Sequence, residues 1–108
     1  MVLIIWRYNP GMKLNNKQIK FLKAKAHALK PVITIGNKGI SDNLISELDE
    51  SLGAHELLKI KLPGVEKSDR SSLLTEVCKM TQAHEIGLIG RIGIVFRPRK
   101  DSKFDLPD

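Results

Sequence analysis

The chain has 108 residues, 42% of them apolar and 28% charged, with 18 Lys+Arg against 12 Asp+Glu and a formal charge of +6. That length admits one domain around a single apolar core, and the lone cysteine, Cys78, excludes a disulfide-stapled scaffold and suits a reducing compartment. Aromatic residues make up only 5%, too few for the stacking platform that single-strand binders use, and the longest strongly apolar run, Val2 to Trp6, is far shorter than the roughly 20 residues a bilayer span needs.

Residues 1–12 read as an extension or flexible arm. The apolar run lacks the basic flank and cleavage site of a signal peptide, Asn9-Pro10-Gly11 is turn-like, and Met12 offers an alternative start, so a cytoplasmic protein with no membrane partner is expected. Residues 13–108 read as one domain. Asn15 or Asn16 caps a first helix to about Ala28, with Ile19, Leu22, Ala26 and Leu29 at the spacing of one buried face, and Pro31 ends it. Val32 to Ile35, β-branched throughout, predicts a short strand buried on both faces.

After Gly36-Asn37-Lys38-Gly39, a second helix is expected from about Ser41 to Leu52, closed by Gly53, with Leu44, Ile45, Leu48 and Leu52 inward. His55 to Leu62 alternates and predicts a strand with Leu58, Ile60 and Leu62 inward and Lys59 and Lys61 outward. Asp69 to Thr81 predicts a third helix capped by Ser68, its stripe formed by Leu73, Leu74, Val77 and Met80. Glu85 to Ile89 and Ile94 to Arg97 predict a hairpin joined by Gly90-Arg91-Ile92-Gly93. The expectation is an α/β fold of order α-β-α-β-α-β-β, a compact two-layer mixed four-stranded sheet in which right-handed crossovers make three strands parallel and the hairpin adds one antiparallel strand.

Charge is uneven along the chain. Residues 1–40 carry eight basic side chains (Arg7, Lys13, Lys17, Lys20, Lys23, Lys25, Lys30 and Lys38) and no acid, whereas Asp42, Glu47, Asp49, Glu50 and Glu56 follow with no base up to residue 58. A molecule with a basic side and an acidic side favours a polyanionic partner. His27, His55 and His84 stand far apart, without metal-ligand spacing, and Cys78 has no activating neighbour in sequence, so no catalytic residue, metal site or cofactor is expected. Gly36 to Gly39 is not a P-loop, because its lysine precedes the second glycine. Two readings of it remain: a tight strand-to-helix turn, or a loop whose backbone approaches phosphate.

Three stretches together resemble the CRM domain (chloroplast RNA splicing and ribosome maturation), in its small stand-alone YhbY-type form. They are Leu14 to Ser41, with Leu22-Lys23-Ala24-Lys25-Ala26-His27 leading to Ile35-Gly36-Asn37-Lys38-Gly39-Ile40-Ser41; His55 to Lys61; and Ile89-Gly90-Arg91 with Val95-Phe96-Arg97-Pro98. The resemblance covers about Met12 to Pro107. It implies an RNA-binding fold similar to the C-terminal domain of translation initiation factor three, with Gly36, Asn37, Lys38 and Gly39 compared to the loop with which KH domains clamp single-stranded backbone. This sequence departs from the family pattern at Asn37, where a basic residue is frequent, at Gly93, usually apolar, and at Phe96, where tyrosine is common.

The leading functional expectation is a monomeric RNA-binding protein that holds ribosomal RNA during large-subunit assembly through Gly36, Asn37, Lys38, Gly39 and a basic face drawn from Lys13, Lys17, Lys20, Lys23, Lys30 and Arg91. The alternative is an adaptor whose acidic helix (Asp42, Glu47, Asp49, Glu50) docks on a ribosomal protein or assembly factor, with RNA contact incidental.

Overall fold

The computed structural model describes residues 13–108; the expected arm over residues 1–12 lies outside the described residues. Asn15 opens the first helix. Its side chain accepts from the Gln18 amide at 2.8 Å while Gln18 Oε1 accepts from the Asn15 amide at 3.0 Å, a capping box that satisfies two N–H groups the helix leaves unpaired. The elements are α1 (Asn16–Ala26), β1 (Pro31–Thr34), α2 (Asp42–His55), β2 (Leu57–Lys61), α3 (Lys67–Thr81), β3 (His84–Ile89) and β4 (Ile92–Phe96), in the expected order.

The sheet order is β1-β2-β4-β3, with β1 and β2 parallel and β4 antiparallel to both β2 and β3. Three strands therefore share one direction, yet only one pairing is parallel. The hairpin strand β4 slots between β2 and β3 instead of adding to a parallel trio; it is more fully buried than β3, which takes the edge, and Ile94 and Phe96 face one way, Gly93 and Val95 the other. Gly93 suits that place, since a Cβ there would stand 2.7 Å from Leu74 Cδ1; the fully packed leucine already fills the space an apolar side chain would take.

Helices cover both faces, so the two-layer expectation is corrected to helix, sheet, helix. On one face, Leu48 and Leu52 of α2 and Leu74 and Val77 of α3 pack on Ile33, Leu58, Ile60 and Val95. On the other, Leu22 and Ala26 of α1, together with Leu106 of the C-terminal segment, pack on Leu57, Ile86, Ile94 and Phe96. Alternation along β2, β3 and β4 serves both cores at once.

Several boundaries differ from expectation for local reasons. Helix α1 stops at Ala26, short of Ala28. Strand β1 lies at the sheet edge and is buried on one face only, leaving Val32 50% exposed. Helix α2 runs through Gly53 to His55, so His55 ends a helix instead of opening a strand. Helix α3 starts at Lys67 after Glu66, which makes no side-chain cap, and Ser68 lies inside it. Its buried stripe is Leu74, Val77, Cys78 and Thr81, a regular 3-and-4 spacing that leaves Met80 51% exposed; the Thr81 hydroxyl is satisfied by donating to Val77 O at 2.7 Å. The β3–β4 connection is the two residues Gly90-Arg91, and Ile92 and Gly93 belong to β4.

Glu56, wholly buried, makes the turn from α2 to β2 at φ +65°, ψ −50°, close to the strained γ-turn geometry. Its carboxylate accepts from the amides of Arg99 at 3.0 Å and Lys103 at 3.1 Å, which pins the C-terminal segment to the sheet. Glu56→Ala strands two part-buried N–H groups and is expected to cost about 2–4 kcal/mol in chemical unfolding. Glu56→Gly, which relieves the backbone by about 1 kcal/mol, is expected to be the milder of the two. Wild-type stability in Glu56→Ala would show that the carboxylate does not hold the segment.

Candidate nucleic-acid interface

Strand β1 ends beside β2, where the Ile35 amide donates to Lys61 O at 2.8 Å, and the chain then leaves the sheet. Gly36 to Gly39 forms a turn closed by the Gly39 amide donating to Gly36 O at 3.0 Å, with Gly39 at φ +79°, a backbone that side chains rarely adopt. Asn37 and Lys38 occupy the exposed tip. Nothing lies within 4 Å of a Cβ built on Gly36 or on Gly39, so the backbone of the turn is open to close approach. Ser41 then caps α2 by accepting from the Leu44 amide at 3.1 Å. Because Asp42 places a carboxylate in the first turn of α2, an anion at this corner is drawn to Lys38 and the turn amides more than to the helix end.

Lys13, Lys17, Lys20, Lys23 and Lys30 are all exposed. They do not make one patch with the loop. Lys17, Lys20 and Lys23 ride on α1, over one sheet face, and the stem of Lys23 lies along Gly87 of β3. Lys30 immediately precedes β1, whereas Lys38 follows it, so the two sit at opposite ends of a strand path of roughly 20 Å. Arg91 is already engaged: its Nε donates to Leu62 O at 3.0 Å and its guanidinium lies over Gly64, which makes it a brace for the β2–α3 connection before it is a phosphate ligand. Lys59 is likewise structural, its Nζ donating to His27 O at 3.3 Å and Leu29 O at 2.9 Å, carbonyls that the end of α1 leaves without helical partners.

The acidic side chains lie on α2, across the sheet from α1, so basic and acidic surfaces are separated by the sheet itself. Asp42, Glu47 and Glu50 are exposed, while Asp49 pairs with Arg97, whose guanidinium also donates to the Asp49 and Thr81 carbonyls at 2.9 Å each. Among the described residues no group of three or more His, Cys, Asp or Glu side chains could hold a metal ion, and no helix is long and apolar enough to cross a membrane.

A family model described as the CRS1 / YhbY (CRM) domain matches residues 14–97. The chain belongs to this family. It is 33% identical over 94 residues to an RNA-binding protein of Haemophilus influenzae, covering 87% of this chain and 95% of that one. A Pseudomonas aeruginosa protein named "Probable RNA-binding protein" is 36% identical over 86 residues, covering 80% and 83%. The solution structure of SAV1595 from Staphylococcus aureus superposes with a TM-score of 0.78 at 27% identity, covering 88% of this chain and all of that one.

Two positions at which the resemblance led us to expect other residues, Phe96 and Asn37, have a local explanation in this chain. Phe96 is wholly buried, 6.4 Å from the His84 ring and edge-on to Phe104 at 5.6 Å, so a side chain without a hydroxyl fills the space between them. Asn37 and Lys38 share one exposed turn, so Lys38 puts its charge at the tip although Asn37 stands where the resemblance led us to expect a basic residue. Lys25 of α1 and Lys103 of the C-terminal segment, which the sequence reading did not assign to the site, line one cavity, a proximity that no local pattern signals.

Cys78 packs in the α2–α3 core, and burial, reinforced by the Glu85 carboxylate, pushes its thiol up to about 12. The native thiol is therefore expected to resist alkylation at pH 8 and to react on unfolding. Because the folded state disfavours the thiolate, stability is unaffected by this group below the thiol's unfolded value near 9 and falls as pH rises from there toward 12. Rapid labelling of the native protein at pH 8 would contradict this placement.

Proposed function

We propose that this CRM protein binds RNA, with single-stranded backbone entering at the Gly36–Gly39 turn and the exposed lysines of α1 supplying further phosphate contacts. The observation that carries the reading is the turn itself, an open, glycine-flanked corner presenting Lys38 at the end of β1, in a chain whose relatives are named for RNA binding. Ribosomal RNA of the large subunit is the proposed target, with an assembly role in the cytoplasm, as a monomer and without a cofactor. Few exposed aromatics favour recognition of backbone and shape over base identity.

The test is binding of purified protein to large-subunit rRNA fragments across a salt series. Five phosphate contacts to single-stranded RNA correspond to a log–log slope of about −3.5. Lys38→Ala is expected to weaken binding to all fragments alike and to make the slope shallower by about 0.7. Salt-insensitive affinity would overturn the proposal. Wild-type behaviour of Lys38→Ala, together with loss of ribosome association on Glu47→Lys/Glu50→Lys, would move the function to the acidic face of α2 and to a protein partner.

A further inference from the structure

The end of α1, the start of β1, the end of α2 and the C-terminal segment enclose a cavity of about 510 Å³ that none of the predicted site residues except Lys30 touches. Its wall is apolar. Leu57 and Leu58 are buried behind it, while Leu29 at 39% and Val32 at 50% exposure stand open to solvent, because α1 ends at Ala26 and leaves the edge strand uncovered. Phe104 contributes an aromatic ring, held edge-on to Phe96 by the anchoring of the neighbouring Lys103 amide on Glu56. Around this wall stand the side chains of Lys25, Lys30, Lys103 and His55, and no carboxylate belongs to the lining.

An apolar slot lined by three lysines and no carboxylate, with the Lys25 ammonium held 5.4 Å over the Phe21 ring at its margin, is complementary to a flat, weakly polar ring tethered to an anion. We infer that this cavity takes one unstacked nucleobase of single-stranded RNA, with Lys25, Lys30 and Lys103 on the adjoining phosphates. The inference rests on the RNA-binding reading above and adds to it a second subsite, at the opposite end of β1 from the Gly36–Gly39 turn. A base enters against Leu29, Val32 and Phe104 only when it is free of a helix, so this subsite selects single strands over duplex, a preference that lysines alone do not supply.

The test uses the full chain, a single-stranded uridine oligonucleotide and a duplex of the same length. Leu29→Gln/Val32→Gln changes two exposed side chains and no charge, so the variant is expected to melt like wild type. It should lose single-strand affinity by roughly three- to tenfold with an unchanged salt slope, because the slope counts phosphate contacts while the variant removes apolar ones. Duplex affinity should stay the same. Uridine monophosphate added to wild type should shift the Leu29 and Val32 methyl resonances, and should do so in Lys38→Ala as well. If wild type binds the oligonucleotide but the double variant binds it equally tightly, the pocket inference falls and the loop reading stands. If wild type binds no RNA, both fall. Contacts from residues Val2–Trp6 to the Val32 methyls in the free protein would identify the occupant as the chain's own segment and overturn the inference.

Discussion

Glu56 is the contact on which the arrangement of this molecule depends. Its amide closes α2 by donating to Leu52 O at 2.9 Å, its carbonyl accepts from the Arg97 amide at 2.8 Å at the end of β4, and its buried carboxylate takes two amides of the C-terminal segment. One residue in a strained backbone conformation thus joins helix, central sheet and tail. A buried carboxylate is tolerated only when its oxygens are hydrogen-bonded, and here the bonds come from the segment that carries Lys103, Phe104 and Leu106. With that segment in place, α1 needs to cover only part of its sheet face. Leu106 and Phe104 cover more, and the gap left beside β1 is the cavity.

The functional surfaces follow from the same geometry. Placing β4 between β2 and β3 gives the sheet a core on each face, which sends α1 to one side and α2 with α3 to the other. The acid-free first helix and the acidic second helix are consequently separated by the thickness of the sheet. The Gly36–Gly39 turn lies where the chain crosses between them. Lysine at its tip and glycine at both ends leave this corner sterically open and positively charged, ahead of the Asp42 carboxylate in the first turn of α2.

All seven elements were legible in the sequence, because each carries its own period: Leu22 and Ala26 on α1, Leu48 and Leu52 on α2, Leu58 and Ile60 on β2. The Gly36–Gly39 turn was legible for the same local reason. What the sequence hid depends on partners remote in the chain. The slotting of β4 into the middle of the sheet is decided by its two-sided burial, and the extension of α2 through Gly53 is decided by what Glu56 gains beyond it. Met80 reads as apolar, yet Cys78 and Thr81 complete the α3 stripe, since a threonine hydroxyl that bonds its own helix costs little to bury. The basic face was only partly legible: charge counting identified exposed lysines but missed that Arg91 and Lys59 are spent on backbone carbonyls, and that Lys25, Lys30 and Lys103 converge from three separate segments.

The central claim is that RNA meets this protein at the Gly36–Gly39 turn and the α1 side, and not at the Glu47 and Glu50 surface of α2. A map of backbone amide shifts in the full chain, recorded as a single-stranded large-subunit rRNA fragment is added, tests it most directly. The account predicts the largest shifts at Gly36, Asn37, Lys38 and Gly39 and along the exposed lysines of α1, with Glu47 and Glu50 unmoved. Shifts centred on Glu47 and Glu50, or none at the turn, would contradict it.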